Sequence, residues 1–310
     1  MRIEILGTES LGVRGLSCRI EVGERVIMID PGIALGYQRH GLLPHPFQVA
    51  VGRSIRERIL RFLTEATDVV ISHYHGDHIP LVNANPYQLD AEAVTGLKPE
   101  VRFWNRSTIG LSKKMAQRAE ALAFALDREF IGSEGKSDGI ISCSEPVPHG
   151  VNKGRMGNVM MTRIEDKGEV FVHASDIQLL NPESIEIIIE WKPDTVLLSG
   201  PPLYLNRLSR QQRESARSNA ILLSMSIDTL IIDHHVARSE AGIKWLDQIS
   251  SETGKRVCCA ADFMKKPRLL LEAWRRRLYR DLPVRQNWHE DYARGKASVE
   301  GYRRWREHKA

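Results

Sequence analysis

Cysteine is scarce in this 310-residue chain: only Cys18, Cys143, Cys258 and Cys259 occur, with no C-x-x-C pair. That excludes a disulfide framework and a thiolate zinc site, and it suits reduced thiols in a cytosol. Long apolar runs are missing too. Nothing approaches the ~20 residues that a helix needs to span a bilayer. No low-complexity segment and no fixed-period repeat is present. Met1-Arg2-Ile3-Glu4-Ile5-Leu6-Gly7 reads directly as a strand, without a charged-then-apolar leader. The expectation is a cytoplasmic protein with no membrane contact, in which any metal is held by histidine and carboxylate.

What is present is ordinary for a globular protein: 42% hydrophobic and 27% charged residues, enough for a substantial core. The net charge of +5 is unevenly spread. From Lys265 to Ala310 there are 14 Lys/Arg against 6 Asp/Glu, a local +8, so the rest carries about −3. We therefore divide the chain into a main domain, 1–264, and a basic, aromatic-rich helical extension, 265–310.

Strands are expected at Arg2 to Leu6, Ser17 to Val22 and Arg25 to Ile29, the last closed by the turn Asp30-Pro31-Gly32. Residues 33–53 read as a long connection, and a helical face follows from Ser54 to Ala66. Asp68-Val69-Val70-Ile71-Ser72 is a buried strand, and Pro80 is suited to begin a helix. Leu111 to Phe130 is an amphipathic helix. Later, helix-then-strand units end in Thr195 to Ser199, Thr229 to Asp233 and Arg256 to Ala260. Strand-rich openings followed by alternating helices and strands imply an α/β architecture, two sheets with helices outside.

The most informative feature is His73-Tyr74-His75-Gly76-Asp77-His78, three imidazoles and a carboxylate at the end of a buried strand. Nitrogen and oxygen donors this close suit a borderline cation such as zinc. Three further strand ends carry metal-competent side chains: His149 in Pro148-His149-Gly150, Asp176 after Ser175, and the pair His234-His235 after Asp233. Strand ends in a layered fold converge on one edge, so these groups can meet.

The H-x-H-x-D-H signature, the glycine-turn strands ending at Asp30-Pro31-Gly32 and the ordered later donors resemble the metallo-β-lactamase superfamily over about residues 1–262. The overall resemblance is closest to an archaeal branch. It implies a four-layer αβ/βα sandwich with two divalent metal ions between the sheet ends. Carried over, His73, His75 and His149 hold one ion, Asp77, His78 and a final histidine hold the other, and Asp176 bridges. Asp233-His234-His235-Val236-Ala237-Arg238 looks like the histidine-then-arginine motif of phosphodiesterase branches, which places the last ligand at His234. His235 is the second choice, since neighbours on a regular strand face opposite ways.

A ligand set without thiolate suits two Zn²⁺, with Mn²⁺ or Fe²⁺ as alternatives. Such a pair makes hydroxide available near neutral pH, and Asp77 is the candidate to orient it. Asp30 is placed to brace a histidine through its other ring nitrogen, or is a simple turn residue. Arg238, Arg39, His40 and His45 are candidate substrate contacts. The expected substrate is a phosphodiester, nucleotide or RNA-like, with a small ester, lactone or thioester as the alternative and a non-catalytic metal scaffold as the third reading. Arginines among Trp274, Tyr279, Trp288, Tyr292, Tyr302 and Trp305 make nucleic-acid contact by the extension a further expectation. Only 57 residues separate Asp176 from His234 and 26 separate His149 from Asp176. That leaves no room for the inserted domain of β-CASP nucleases or the flexible arm of tRNA 3′-processing enzymes.

Overall fold

The computed structural model describes residues 1–94, 96–151 and 157–302. Two sheets form the centre. The first holds β1 (Arg2–Gly7), β2 (Ser17–Val22), β3 (Arg25–Ile29), β4 (Asp68–Ile71) and β5 (Arg102–Asn105) in that order. The second runs from β6 (Ile141–Cys143) through β9 (Thr162–Asp166), β10 (Glu169–His173), β11 (Thr195–Leu198) and β12 (Thr229–Ile232) to β13 (Arg256–Cys258). Between β6 and β9, β7 (Val147–Pro148) and β8 (Asn158–Val159) form a small ribbon.

Side chains alternate across each strand, and the apolar pattern decides which face goes where. Ile5, Ile27, Ile29 and Val70 point to the core shared with Val172, Leu197 and Ile231 of the second sheet. Their neighbours Leu6, Met28, Val69 and Ile71 point outward and are covered by Ile55, Ile59 and Leu63 of α1 (Pro46–Leu63) and Leu122 of α2 (Lys113–Ala125). Helices α3 (Pro182–Glu190), α4 (Arg210–Ser226) and α5 (Glu240–Thr253) contribute Ile185, Ala216, Leu223 and Leu246 to the shared core. The result is the expected αβ/βα sandwich.

Strands β3, β4 and β5 are mutually parallel, as are β10 to β13. Parallel strands end on the same edge, so the loops after β3, β4, β10 and β12 gather between the sheets. Three of those loops turn through a non-glycine residue with positive φ: Asp30 at 46°, Ser175 at 51° and His234 at 41°. Such backbone is costly and persists where its surroundings over-determine it.

Two expectations are corrected. Helix α1 begins at Pro46, eight residues before Ser54, because Pro44 and Pro46 mimic a loop signal. Pro46 occupies the first helical turn, and the His45 side chain accepts the N–H of Phe47 as the cap. No helix follows Pro80; the chain there makes turns and isolated bridges to Asp90. Beyond α6 (Ala260–Phe263) come α7 (Arg275–Asp281) and α8 (Trp288–Ala293). Leu271 and Leu278 pack on Phe47 of α1, and Trp288 is buried and stacked on Tyr292, 5.0 Å between rings. Trp305 lies outside the described residues. Among the described residues no helix is long and apolar enough to cross a membrane.

Candidate metal centre

The loop after β4 is anchored by Asp30. Its carboxylate accepts the N–H of Ser72 at 2.8 Å and the hydroxyl of Ser72 at 2.6 Å, and it lies 2.9 Å from Nδ1 of His78. It therefore braces a histidine, one of the two roles its position in the sequence allowed. Two glycines let the backbone close in. A Cβ on Gly32 would sit 2.1 Å from the nitrogen of Ile79, and one on Gly15 would sit 2.5 Å from the carbonyl oxygen of Asp77.

His73, His75, His149 and Asp176 each offer a ligand atom within 4.8 Å of the others, as do Asp77, His78 and His234. Asp176 joins the two groups with a different oxygen for each. Its Oδ2 lies 2.8 Å from His149 Nε2, 3.6 Å from His73 Nε2 and 3.8 Å from His75 Nδ1. Its Oδ1 lies 3.2 Å from His78 Nε2 and 3.6 Å from His234 Nε2, which is also 3.4 Å from Asp77 Oδ2. His235 faces the site as well, with Nε2 3.7 Å from Asp176 Oδ2. Strand alternation does not separate the two neighbouring histidines, because β12 ends at Ile232 and His234 turns the chain.

The electrostatics match a cation site. Burial opposes charge on Asp176, yet His78, His235, His234 and His149 around it hold its carboxyl well below the usual range. Asp77 is held low against burial by His234, His78 and Arg238. Burial, with His78 and His75 adding to it, pushes His73 down to about 3, and burial with Arg238 pushes His234 down to about 4. His235 is held well below its ordinary value, chiefly by burial. Ionised carboxylate and neutral imidazole are the forms that ligate cations. His78 goes the other way: despite burial, Asp176 and Asp30 favour its charged form. Three buried atoms at the centre, His78 Nε2, Asp176 Oδ1 and His235 Nδ1, have no hydrogen-bond partner. Buried polar atoms are rarely left so, and the first two point where a cation would satisfy them.

Arg238 closes one side. Its Nη1 donates to the Tyr204 hydroxyl at 3.2 Å, its Nη2 approaches His234 Nε2 at 2.7 Å and Asp77 Oδ2 at 3.5 Å, and its Nε lies 3.4 Å from Glu9. Gly15 N–H also points at His234, at Nδ1, 3.1 Å away. A neutral imidazole accepts at one nitrogen, so Gly15 and Arg238 cannot both be satisfied by that ring. Arg39 stands beside this group, over the Tyr204 ring at 4.7 Å and donating to the carbonyl of Arg238.

The other expected substrate contacts are placed differently. His45 is a buried cap, its second nitrogen 2.8 Å from the carbonyl of Leu282, so it is removed from the set. His40 is exposed in a turn, with Arg276, Arg39 and Arg275 among its neighbours and outside the donor groups. His173 is buried with Nε2 2.9 Å from the carbonyl of Leu16 and has a structural part. No motif in the chain pointed to Glu9, or to Gln178, whose amide lies 3.0 Å from His149 Nδ1.

Two hollows flank the donors. One of about 300 Å³ is lined by Gln178, Tyr204, Arg207, Gln212, His235 and Arg238. The other, about 130 Å³, opens beside His73 and His75 against Tyr74, Leu111 and Met115. A third, about 330 Å³ and mostly apolar, lies between Leu6, Phe47, Val51 and Leu269 and has no metal donors.

No protein-family model matches the chain. It is 47% identical over 302 residues to a UPF0282 protein of Methanosarcina mazei, covering 97% of this chain and 99% of that one. It is 34% identical to a UPF0282 protein of Thermococcus kodakarensis, covering 90% and 96%. Among solved structures, Tm1679, a metal-dependent hydrolase of the β-lactamase superfamily, superposes with a TM-score of 0.50 at 15% identity, covering 87% of this chain and 97% of that one.

Proposed function

The chain belongs to the UPF0282 family and has the metallo-β-lactamase fold, and on that premise we propose that it is a binuclear metal-dependent phosphodiesterase. The observation that carries the metal reading is the division of Asp176, whose Oδ2 serves the His73, His75 and His149 group and whose Oδ1 serves His78 and His234. His73, His75 and His149 would hold one divalent ion, Asp77, His78 and His234 the other, and Asp176 both, zinc fitting first and manganese or iron next. When bound, such a pair supplies an activated water near neutral pH and draws charge from the attacked oxygen.

The chain's own residues do the rest. Asp77, with its side chain partly open to the cleft, orients the attacking water and takes its proton. Asp30 fixes the ring of His78 so that only Nε2 is free to ligate. Arg238 presents a fixed guanidinium beside Asp77, the chemistry that grips a non-bridging phosphate oxygen. His235, kept neutral by burial, lines the larger hollow and is placed to donate a hydrogen bond to the leaving oxygen. Arg207 and Arg238 line the larger hollow and Arg39 stands against its Tyr204 wall, positive charge that favours an anionic substrate over a neutral lactone.

Purified protein would be tested with bis-p-nitrophenyl phosphate, a lactone panel and short RNA, before and after chelation. Chelator-sensitive phosphodiester turnover is expected, lost in His75→Ala. Turnover of lactones alone would overturn the phosphodiester assignment. Bound metal with no turnover on any substrate, unchanged by His75→Ala, would make the protein a scaffold.

A further inference from the structure

Glu9 and Glu272 are both fully buried, one in the turn after β1 and the other in the C-terminal extension. Arg14 joins Glu272 by two hydrogen bonds, Nε to Oε2 at 2.7 Å and Nη2 to Oε1 at 2.6 Å. Gly36 makes room for this pair; a Cβ there would lie 2.3 Å from Glu272 Oε2 and 2.5 Å from Arg14 Nη2. Arg275, also fully buried, donates to the carbonyls of Gly36 and Leu42 and to Gln48, and it faces Glu272. Glu9 stands between this group and Arg238, whose charged form is supported by Tyr204, Glu9, Glu272 and Asp77. Two pairs, Arg238 with Glu9 and Arg14 with Glu272, thus stand one behind the other between the donor cluster and the extension, near enough that burial and the Glu272 charge push the Glu9 carboxyl up to about 8.

We propose that Glu9 and Glu272 are positioning residues, which hold the Arg238 guanidinium at the metal centre so that it meets an anionic oxygen of the substrate. The inference rests on the phosphodiesterase reading for what Arg238 grips. Arg238 could otherwise swing toward water or collapse fully onto Asp77 and His234; the carboxylates behind it fix its depth. Buried ion pairs add little net stability but specify one arrangement, which is the property needed here. The extension is then a working part of the site, acting on Arg238 through the charge of Glu272 rather than by contacting substrate itself.

The test compares Glu272→Gln, Glu9→Gln, Arg238→Lys and the double variant Glu272→Gln/Arg238→Lys in the full-length, metal-loaded protein. Three quantities are read: bound metal, kcat and KM for bis-p-nitrophenyl phosphate, and the arginine Nε–H signals by NMR, with Arg238 assigned by its loss in Arg238→Lys. In Glu272→Gln the metal content stays as in the parent, the Arg238 signal shifts or broadens, and KM rises roughly tenfold with kcat altered less, the scale of one charge-assisted contact. The double variant is no worse than Arg238→Lys alone. An unmoved Arg238 signal with unchanged KM, or fully additive losses, overturns the proposal. If Glu272→Gln fails to fold, Glu9→Gln, one step nearer Arg238, is held to the same criteria. Should the parent cleave no phosphodiester, the functional reading fails while the NMR signal still decides whether the two glutamates position Arg238.

Discussion

Nδ1 of His78 lies 2.9 Å from Oδ2 of Asp30, and the opposite nitrogen of that ring lies 3.2 Å from Oδ1 of Asp176. One buried carboxylate thus sets the direction in which a histidine can ligate. Replacing Asp30 with asparagine keeps the shape but removes the charge that favours the Nδ1–H form. Metal affinity should fall about 10–100-fold, read by competition with a chelating dye. An unchanged affinity would leave Asp30 as a turn residue only.

His234 and His235 separate by stoichiometry. His234→Ala should lower bound metal by about one ion per chain, since four donors complete a zinc site and this group would keep three. His235→Ala should keep both ions and lose turnover. Elemental analysis of the two purified variants decides, and the reverse pattern makes His235 the ligand.

Removing the ions should destabilise the fold. Stripped protein leaves Asp176 buried, and Asp77 half-buried, among groups that match them only in part. Restoring zinc to about 100 times its Kd should add about 2.7 kcal/mol, measured as a shift in the thermal midpoint. No shift would mean that the cluster does not bind zinc in the folded state.

Asp68 gives a pH dependence remote from the centre. It is paired with Arg25 at 2.7 Å and with Arg102 at 3.0 Å, and it accepts Trp104 Nε1–H at 3.0 Å. Burial would raise its carboxyl, but Arg25, Thr67 and Trp104 hold it below 3.8. The unfolded chain therefore binds the proton first as pH falls. The stabilisation is complete above the ordinary carboxylate range and is lost below it. Asp68→Asn should cost about 3 kcal/mol near neutrality, and its deficit against the parent should shrink as denaturation is repeated toward about pH 3. A deficit constant with pH would contradict the assignment.

Much of this arrangement was readable in the chain because apolar strands and polar ends alternate so regularly. Val69 and Val70 signal a buried strand, and the donors at His73, His149, Asp176 and His234 each follow one. What escaped was governed by three-dimensional context. His45 reads as a polar loop residue because nothing local reveals that Pro46 opens a helix needing a cap. The adjacent histidines could not be told apart because a positive φ at His234 breaks the strand period. Nothing local marks Glu9 or Arg275 as buried. Only packing against Gly36, Gln48 and Arg238 shows it.

Close approach at Gly32 should be equally unforgiving. Alanine there would drive a methyl group into the backbone of His78 and Ile79. A loss of about 3 kcal/mol is expected, read by urea unfolding, and a parental midpoint would show that the loop yields.

Asp233 accepts four hydrogen bonds: at Oδ1 from the Thr8 hydroxyl and the amides of Ser10 and His234, and at Oδ2 from the amide of Ala260. A single side chain therefore knots the first loop of the polypeptide to the last strand-end turn and to the threshold of α6. The turn that carries Thr8 and Ser10 is therefore more than a connection. Removing its donors would slacken a fastening more than two hundred positions downstream and let the terminal histidine pair drift.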